Sequence, residues 1–283
     1  MQKDKKNKIP LNEPNLVGNE WKYLKQCIDT NWISTAGNFV KNFERKLCKF
    51  TNSNYAIACI NGTSALQISL KLVGVKSGDE VIVPTLTFIA PVNAINYNNA
   101  RPIFMDVDDY CNIDIKKTCE FISKKTFFKN GFTFNKKTKK RISAILPVHV
   151  WGNAVNLEKL KLICKKKNIK IVEDASESLG TFYNEGSLKK RHTGTVGDLG
   201  CISFNGNKII TSGGGAVILT NNETLAEKAY YLINQAKNDP INFVHDEIGY
   251  NFKLTNVHAA IGLAQLENIK FFLKKKKIIY DHY

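Results

Sequence analysis

Short apolar runs alternate with stretches of helical spacing along most of this chain. Residues 55–60 read as a buried strand that stops at Asn61-Gly62. Residues 63–72 follow with Leu66, Leu70 and Val73 on one helical face. Further strands are expected at 81–83, where Pro84 ends the run, and at 102–107, 142–148, 169–173, 201–204 and 216–219. Helices are expected at 89–96, 157–167 and 224–235. Strands separated by crossover helices predict an α/β fold with a mainly parallel sheet. In such sheets ligands bind beyond the carboxyl ends of the strands, so chemistry is sought there.

Two regions fall outside the alternation. Residues 19–50 hold two amphipathic helices, one around Trp21, Leu24 and Ile28, the other around Phe39, Phe43, Leu47 and Phe50. Residues 123–141 are basic and polar, and Asn130-Gly131 within them signals a hairpin or loop excursion. Towards the end, residues 255–273 form one long helical pattern that runs into Lys274 to Lys277.

Composition narrows the class. With 43% hydrophobic residues the chain can bury a substantial core, which excludes disorder. The formal charge of +16 raises the question of a polyanionic partner. The basic residues lie in short, scattered runs: Lys3 to Lys8, Lys136 to Arg141 and Lys274 to Lys277. None is interleaved with aromatics in a nucleic-acid-binding pattern, so a solvated cationic surface is expected, without nucleic acid or membrane. The seven cysteines (Cys27, Cys48, Cys59, Cys111, Cys119, Cys164 and Cys201) contain no CxxC pair. They read as buried free thiols in a reducing compartment, with no metal site. No secretory h-region opens the chain and no apolar run reaches membrane-spanning length, so a cytoplasmic protein is expected.

The strand ends carry the candidate chemistry. Asn61-Gly62-Thr63-Ser64-Ala65 opens a helix, where glycine allows close approach and free N–H groups suit a phosphate, although Thr63 and Ser64 are also ordinary helix caps. Phe88 follows the second strand and is either core or a platform for a planar ring. Asp174 ends the strand at 169–173. A carboxylate there needs a partner, such as a cationic ring nitrogen; the alternative is helix capping by Asp174 or Ser176. Lys208 follows a short buried strand and a tight turn, with Gly213-Gly214-Gly215 behind it. That context shields an amine and makes it a nucleophile, unlike an ordinary surface lysine. The glycine run lacks the order of a phosphate loop and reads as a close-packing turn. A phosphate cradle, an aromatic, a carboxylate and an amine at strand ends together match what pyridoxal phosphate requires.

The sequence resembles the DegT/DnrJ/EryC1/StrS family of sugar aminotransferases. The resemblance is carried by Asn61 to Leu66, Pro84 to Phe88, Pro147-Val148-His149, Glu173-Asp174-Ala175, Gly197-Asp198, Ser203 to Lys208 and Gly249 to Phe252. Residues 123–141 and 173–178 look most like the branch serving legionaminic acid and bacillosamine synthesis. The resemblance implies a fold type I large domain over residues 1–250, with residues 251–283 beginning a small C-terminal domain that is largely missing. It implies pyridoxal phosphate on Lys208 as the Schiff-base lysine, with Asp174 on the ring nitrogen and Phe88 on the ring face. Gly62, Thr63, Ser64 and Ser203 would hold the phosphate, and Asn251 would reach it from the other subunit of a homodimer. Glu177 would lie near the ring hydroxyl, where relatives carry other residues. His149 is expected to be a satisfied core histidine. The implied reaction moves an amino group from glutamate to C4 of a nucleotide-linked 4-keto-6-deoxy sugar for a surface glycan. The alternatives are a non-catalytic or accessory remnant, and a sugar dehydratase of the family, which Lys208 argues against.

Overall fold

The computed structural model describes residues 10–239 and 241–283. The basic run of the first eight positions lies outside them. Seven strands form one sheet: β1 (Tyr55–Cys59), β2 (Glu80–Pro84), β3 (Arg101–Met105), β6 (Ile142–Ile145), β7 (Lys170–Asp174), β8 (Leu199–Ser203) and β9 (Ala216–Thr220). Their order is β1-β9-β8-β7-β6-β2-β3. β9 alone runs antiparallel, against both β1 and β8. The remaining pairs are parallel, as expected from strands joined by helices. Their apolar runs are buried on both faces, so they carry no period-two alternation.

α3 (Gly62–Leu72), α4 (Ile89–Tyr97) and α7 (Glu223–Ile233) cover one face, where Leu66, Ile68, Leu70, Ala94, Ile95, Ala229 and Leu232 enter a core with Val83, Val172 and Ile218. A second core joins the sheet to α1 (Glu20–Asp29), α2 (Asn38–Thr51) and α8 (Asn256–Glu267) through Phe43, Leu47, Phe204, Leu263 and Phe272. Gly262 lets α8 and α2 approach closely, since a Cβ there would sit 2.8 Å from the Phe43 ring. The buried Asn256 side chain locks the entry to α8, accepting from Phe39 N–H at 3.0 Å and donating to Trp32 C=O at 2.7 Å. α8 is thus part of this core, although residues from 251 onward were expected to lead into another domain. α5 (Ile115–Lys124) and α6 (Glu158–Lys167) pack a third core with Ile113, Ile122, Ile142 and Leu160.

Three expectations are corrected. The helical pattern at 255–273 breaks at Asn268 into α8 and α9 (Ile269–His282), because Asn268 leaves helical geometry and donates its side-chain amide back to Ala264 C=O. α5 was not foreseen; Asp114 caps it by accepting from Lys117 N–H at 2.9 Å. The helix expected to reach residue 235 ends at Ile233, since Gln235 and Ala236 take positive φ and lead to a short hairpin, β10 (Lys237–Asp239) and β11 (Val244–His245). The excursion at 123–141 is a hairpin, β4 (Thr126–Lys129) and β5 (Phe132–Asn135). It turns at Asn130-Gly131 with φ of 50° and 81°, the geometry of a two-residue primed turn. Cys27, Cys59, Cys164 and Cys201 are buried as expected, but Cys48, Cys111 and Cys119 are partly exposed.

One buried carboxylate organises the sheet centre. Side chains alternate along β7, so Glu173 and Asp174 point to opposite faces. Glu173 is wholly buried and accepts four hydrogen bonds: from Gly194 N–H (2.8 Å), Val196 N–H (2.7 Å), Gly197 N–H (2.6 Å) and His149 Nε2 (2.9 Å). Burial opposes its charge, but His149 and the backbone donors outweigh that and hold it below the ordinary carboxylate range. Val155 N–H donates to His149 Nδ1 at 3.0 Å, which fixes the tautomer with its proton on Nε2, towards Glu173. The same loop contains His192, also fully buried, whose Nε2 accepts from Gly180 N–H at 2.8 Å. Burial pushes its pKa down to about 4. Gly200 lets this loop lie on β8, since a Cβ there would strike the Gly194 backbone.

Two outcomes follow. Glu173→Gln places an amide N–H against N–H donors whichever way it is turned. The variant should lose about 3–5 kcal/mol of stability, the range for breaking a buried charged network, measured by denaturant unfolding. His192 takes up its proton near pH 6.5 when unfolded but only near 4 when folded. Its stabilising effect is therefore full above pH 6.5 and is lost as the pH falls from 6.5 to 4, by about 3 kcal/mol. Unfolding midpoints across that window should fall less steeply for His192→Gln than for the parent.

Candidate active site

The carboxyl ends of β1, β2, β7 and β8 open onto one cleft of about 480 Å³. Gly62, Thr63, Phe88, Asp174, Glu177, Ser203 and Lys208 all line it. Seven of the nine residues singled out from the sequence thus converge. Ser64 does not line the cleft: its side chain is buried and its N–H is taken by Asn61 Oδ1 at 2.8 Å. Asn251 is exposed and lies outside the cleft of its own chain, in an isolated bridge to Asn234.

Asn61 is the cap of α3, which settles one alternative left open by the sequence. Thr63 and Ser64 are not the capping residues, and Thr63 faces the cleft. Gly62 sits where a Cβ would lie 3.2 Å from the Ser203 Cβ and 3.5 Å from the hydroxyls of Ser176 and Ser203. Backbone, two serine hydroxyls and the start of α3 therefore surround a concave spot with the donors an anion needs.

Asp174 is nearly fully buried and its Oδ1 accepts from Ser176 N–H at 3.0 Å. No helix begins here, so the helix capping considered as an alternative gives way to a local turn, and the carboxylate borders the cleft. Burial raises its pKa, against the lowering pull of the Ser176 bonds and the Lys208 charge. A cation brought to this carboxylate offsets the burial cost. Phe88 is 78% exposed, which removes the core alternative and leaves a ring at the cleft rim.

The Lys208 side chain is only 16% exposed and its Nζ donates to Glu177 Oε1 at 3.2 Å. The other Glu177 oxygen accepts from Trp151 N–H at 2.9 Å. Trp151 stands in left-handed backbone geometry (φ 52°) with its side chain exposed at the cleft. Lys208 also borders a smaller cleft of about 310 Å³, bounded by residues 12–15 and by Phe271, Lys275 and Ile279 of α9. His149 touches the cleft but is satisfied by Glu173 and Val155, the core role expected of it.

Sequence reasoning missed several lining residues: Asn61, Trp151, Ser176, Asn205 and Asn207, and Thr87, whose buried hydroxyl has no hydrogen-bond partner among the described residues. Asn61 was detectable from its place before the helix. Ser176 was read only as a cap, and Trp151 carried no local signal.

These residues suit pyridoxal phosphate. The Gly62, Ser176 and Ser203 spot, where a side chain at 62 would intrude, offers donors for its phosphate, Asp174 the charge for its ring nitrogen, Phe88 the face for its ring, and Lys208 the amine for its aldehyde. Comparison with known proteins gives the same answer. The DegT/DnrJ/EryC1/StrS aminotransferase family model matches residues 14–283. The chain is 38% identical over 275 residues to GDP-perosamine synthase of Escherichia coli O157:H7, covering 97% of this chain and 70% of the relative. It superposes with a TM-score of 0.80 on a DegT DnrJ EryC1 StrS aminotransferase from Brucella abortus at 26% identity, covering 89% of this chain and 64% of that one. The aminotransferase PseC of Helicobacter pylori, involved in the biosynthesis of pseudoaminic acid, gives a TM-score of 0.79 at 25% identity, with 93% and 66% covered. The chain thus spans about two thirds of these solved relatives, with the α/β fold of pyridoxal phosphate aminotransferases. It belongs to the DegT/DnrJ/EryC1/StrS aminotransferase family.

Proposed function

We propose that this chain transfers an amino group from glutamate to C4 of a nucleotide-linked 4-keto-6-deoxy sugar, for a surface glycan. The observation that carries the chemistry is the shielded Lys208 amine in one cleft with Asp174, Phe88 and the Gly62–Ser203 cradle. Similarity to the GDP-perosamine synthase of Escherichia coli supports a nucleotide-linked sugar as acceptor.

Each side chain then has a task. Pyridoxal phosphate, when bound, supplies the electron sink that makes the C–H bond beside the migrating amino group acidic. Asp174 keeps the ring nitrogen protonated, and its carboxylate gains the cation it is buried without. Gly62, Thr63, Ser176 and Ser203 anchor the phosphate, with Asn251 of a second copy completing the cradle in a homodimer. Phe88 shields one ring face from water. Lys208 Nζ first holds the cofactor and then carries the proton between the two carbon positions, one amine serving as nucleophile and as acid–base. Glu177 aims Nζ through its ion pair while Trp151 N–H fixes its other oxygen. With α8 and the start of α9 held in the main core, the exposed residues 274–282 of α9 would form the stem of a smaller domain.

Lys208→Ala should abolish the visible absorbance that the protein acquires with pyridoxal phosphate, and turnover with it. Retained transamination in that variant would sink the assignment, and no absorbance change in the parent favours a non-catalytic remnant. Asp174→Asn removes one partner of a buried charge pair and should weaken cofactor binding roughly 10²–10³-fold, as followed by absorbance titration. Glutamate should bleach the band, and a GDP- or UDP-linked 4-keto-6-deoxy sugar should restore it.

A further inference from the structure

Along the sequence the lysines look scattered, but their charge is not. Residues 115–170 hold 16 of the 41 Lys and Arg and only 2 of the 25 Asp and Glu. That one segment carries +14 of the chain's +16, and the rest of the protein is nearly neutral.

The hairpin and the C-terminal ends of α5 and α6 carry most of that charge to the end of the molecule opposite the cleft, while residues 148–151 of the same segment line the cleft. Lys136 N–H donates to Lys125 C=O at 2.9 Å, tying the β4–β5 hairpin to the end of α5. Thr133 Oγ1 donates to Lys167 C=O at 2.6 Å and Asn168 Nδ2 to Gly131 C=O at 2.8 Å, tying the hairpin to the end of α6. Asn135 Nδ2 donates to Glu80 at the start of β2, and Lys170 opens β7. These are the amino ends of the parallel strands, whereas the cleft lies at the carboxyl ends.

Nearby acids neutralise only part of this charge. Asp79 pairs with Arg141, Asp106 and Asp114 with Lys117, Glu120 with Lys124, and Asp198 with Lys170. Lys129, Lys137, Lys161, Lys165 and Lys166 are exposed and, among the described residues, form no ion pair. Apolar side chains stand among them. Leu162 of α6 is 72% exposed and is flanked by Lys161, Lys165 and Lys166, and Phe128 and Phe132 of the hairpin are about half exposed.

We propose that this face docks the protein peripherally on an anionic lipid surface. Unpaired lysines around protruding apolar side chains suit headgroups and the acyl boundary together. Single-stranded nucleic acid is less well served, because it needs free aromatic faces. Phe127 and Phe134 stack on each other at 5.4 Å, and Lys139 and Arg141 lie over the rings of Phe127 and Phe132. Bound in this way, the protein would leave its cleft facing solvent. The inference does not depend on the chemistry assigned to that cleft.

Sedimentation with vesicles tests it. At about 0.1 M salt the protein should partition onto phosphatidylcholine vesicles containing phosphatidylglycerol at least roughly fiftyfold better than onto pure phosphatidylcholine, and should come off as salt is raised. Replacing Lys129, Lys137, Lys161, Lys165 and Lys166 with Gln should cost roughly a hundredfold or more, since each lysine contributes about fivefold. Replacing Lys274, Lys275 and Lys276 of α9 with Gln should change little. Circular dichroism checks folding, and the lipid and salt comparisons on the parent protein decide the matter if the five-lysine variant fails to fold. Equal binding to both vesicle types overturns the proposal, as does undiminished binding by a folded five-lysine variant. Tighter binding to a single-stranded oligonucleotide than to anionic vesicles of equal phosphate concentration overturns it in favour of nucleic acid.

Discussion

The arrangement rests on a charge kept where water cannot reach it. Burying a lone carboxylate costs several kcal/mol, and Glu173 is buried completely. Each hydrogen bond to a charged group returns about 1.5–3 kcal/mol, so its four donors together offset that cost. This requirement brings three separate pieces of chain together: β7 itself, the Gly194–Gly197 turn and the segment carrying His149. That segment runs beside the end of β7, with His149 N–H donating to Asp174 C=O and Asp174 N–H to Pro147 C=O. The carboxylate that faces the cleft is thus fixed by the neighbour that faces away from it.

The sheet was legible because fully buried parallel strands leave continuous apolar runs, and because Pro84 and Asn61-Gly62 mark their ends. Its order was not, since nothing local says that β9 turns back between β1 and β8. α5 escaped because its lysines and short apolar stripe resemble a solvated loop, and only the Asp114 cap gives it away. The break at Asn268 escaped for the opposite reason: apolar spacing continues across it while the backbone does not.

The site was legible wherever a residue follows a strand directly. Asp174 and Gly62 needed only the rule that ligands gather at carboxyl ends, whereas Ser203 came from the family resemblance. Lys208 needed its turn, because 41 Lys and Arg make any single lysine unremarkable. What could not be read was pairing across distance. Glu177 meets Lys208 across 31 positions of sequence, and Trp151 reaches Glu177 from a bend with positive φ that its own sequence does not announce. Ser176 was seen as a cap because its bond to Asp174 is local, while its approach to Gly62 is not.

Strand polarity accounts for both ends of the molecule. A parallel strand delivers its carboxyl end, and the helix N-terminus that follows, to one edge of the sheet; both favour anions and the groups that bind them. The opposite edge receives helix C-termini, whose exposed carbonyls favour cations. Lys124 on α5 and Lys165, Lys166 and Lys167 on α6 occupy those last turns. Some of the lysine density there is thus explained by helix electrostatics alone. The hairpin is not: Lys129, Lys137 and Lys139 cap no helix, yet the turn at Asn130-Gly131 holds the hairpin to the α6 terminus and the segment after β5 is tied to the end of α5. Charge added beyond what the helices require, on the edge that chemistry does not use, is the feature that a contact with an anionic surface would explain.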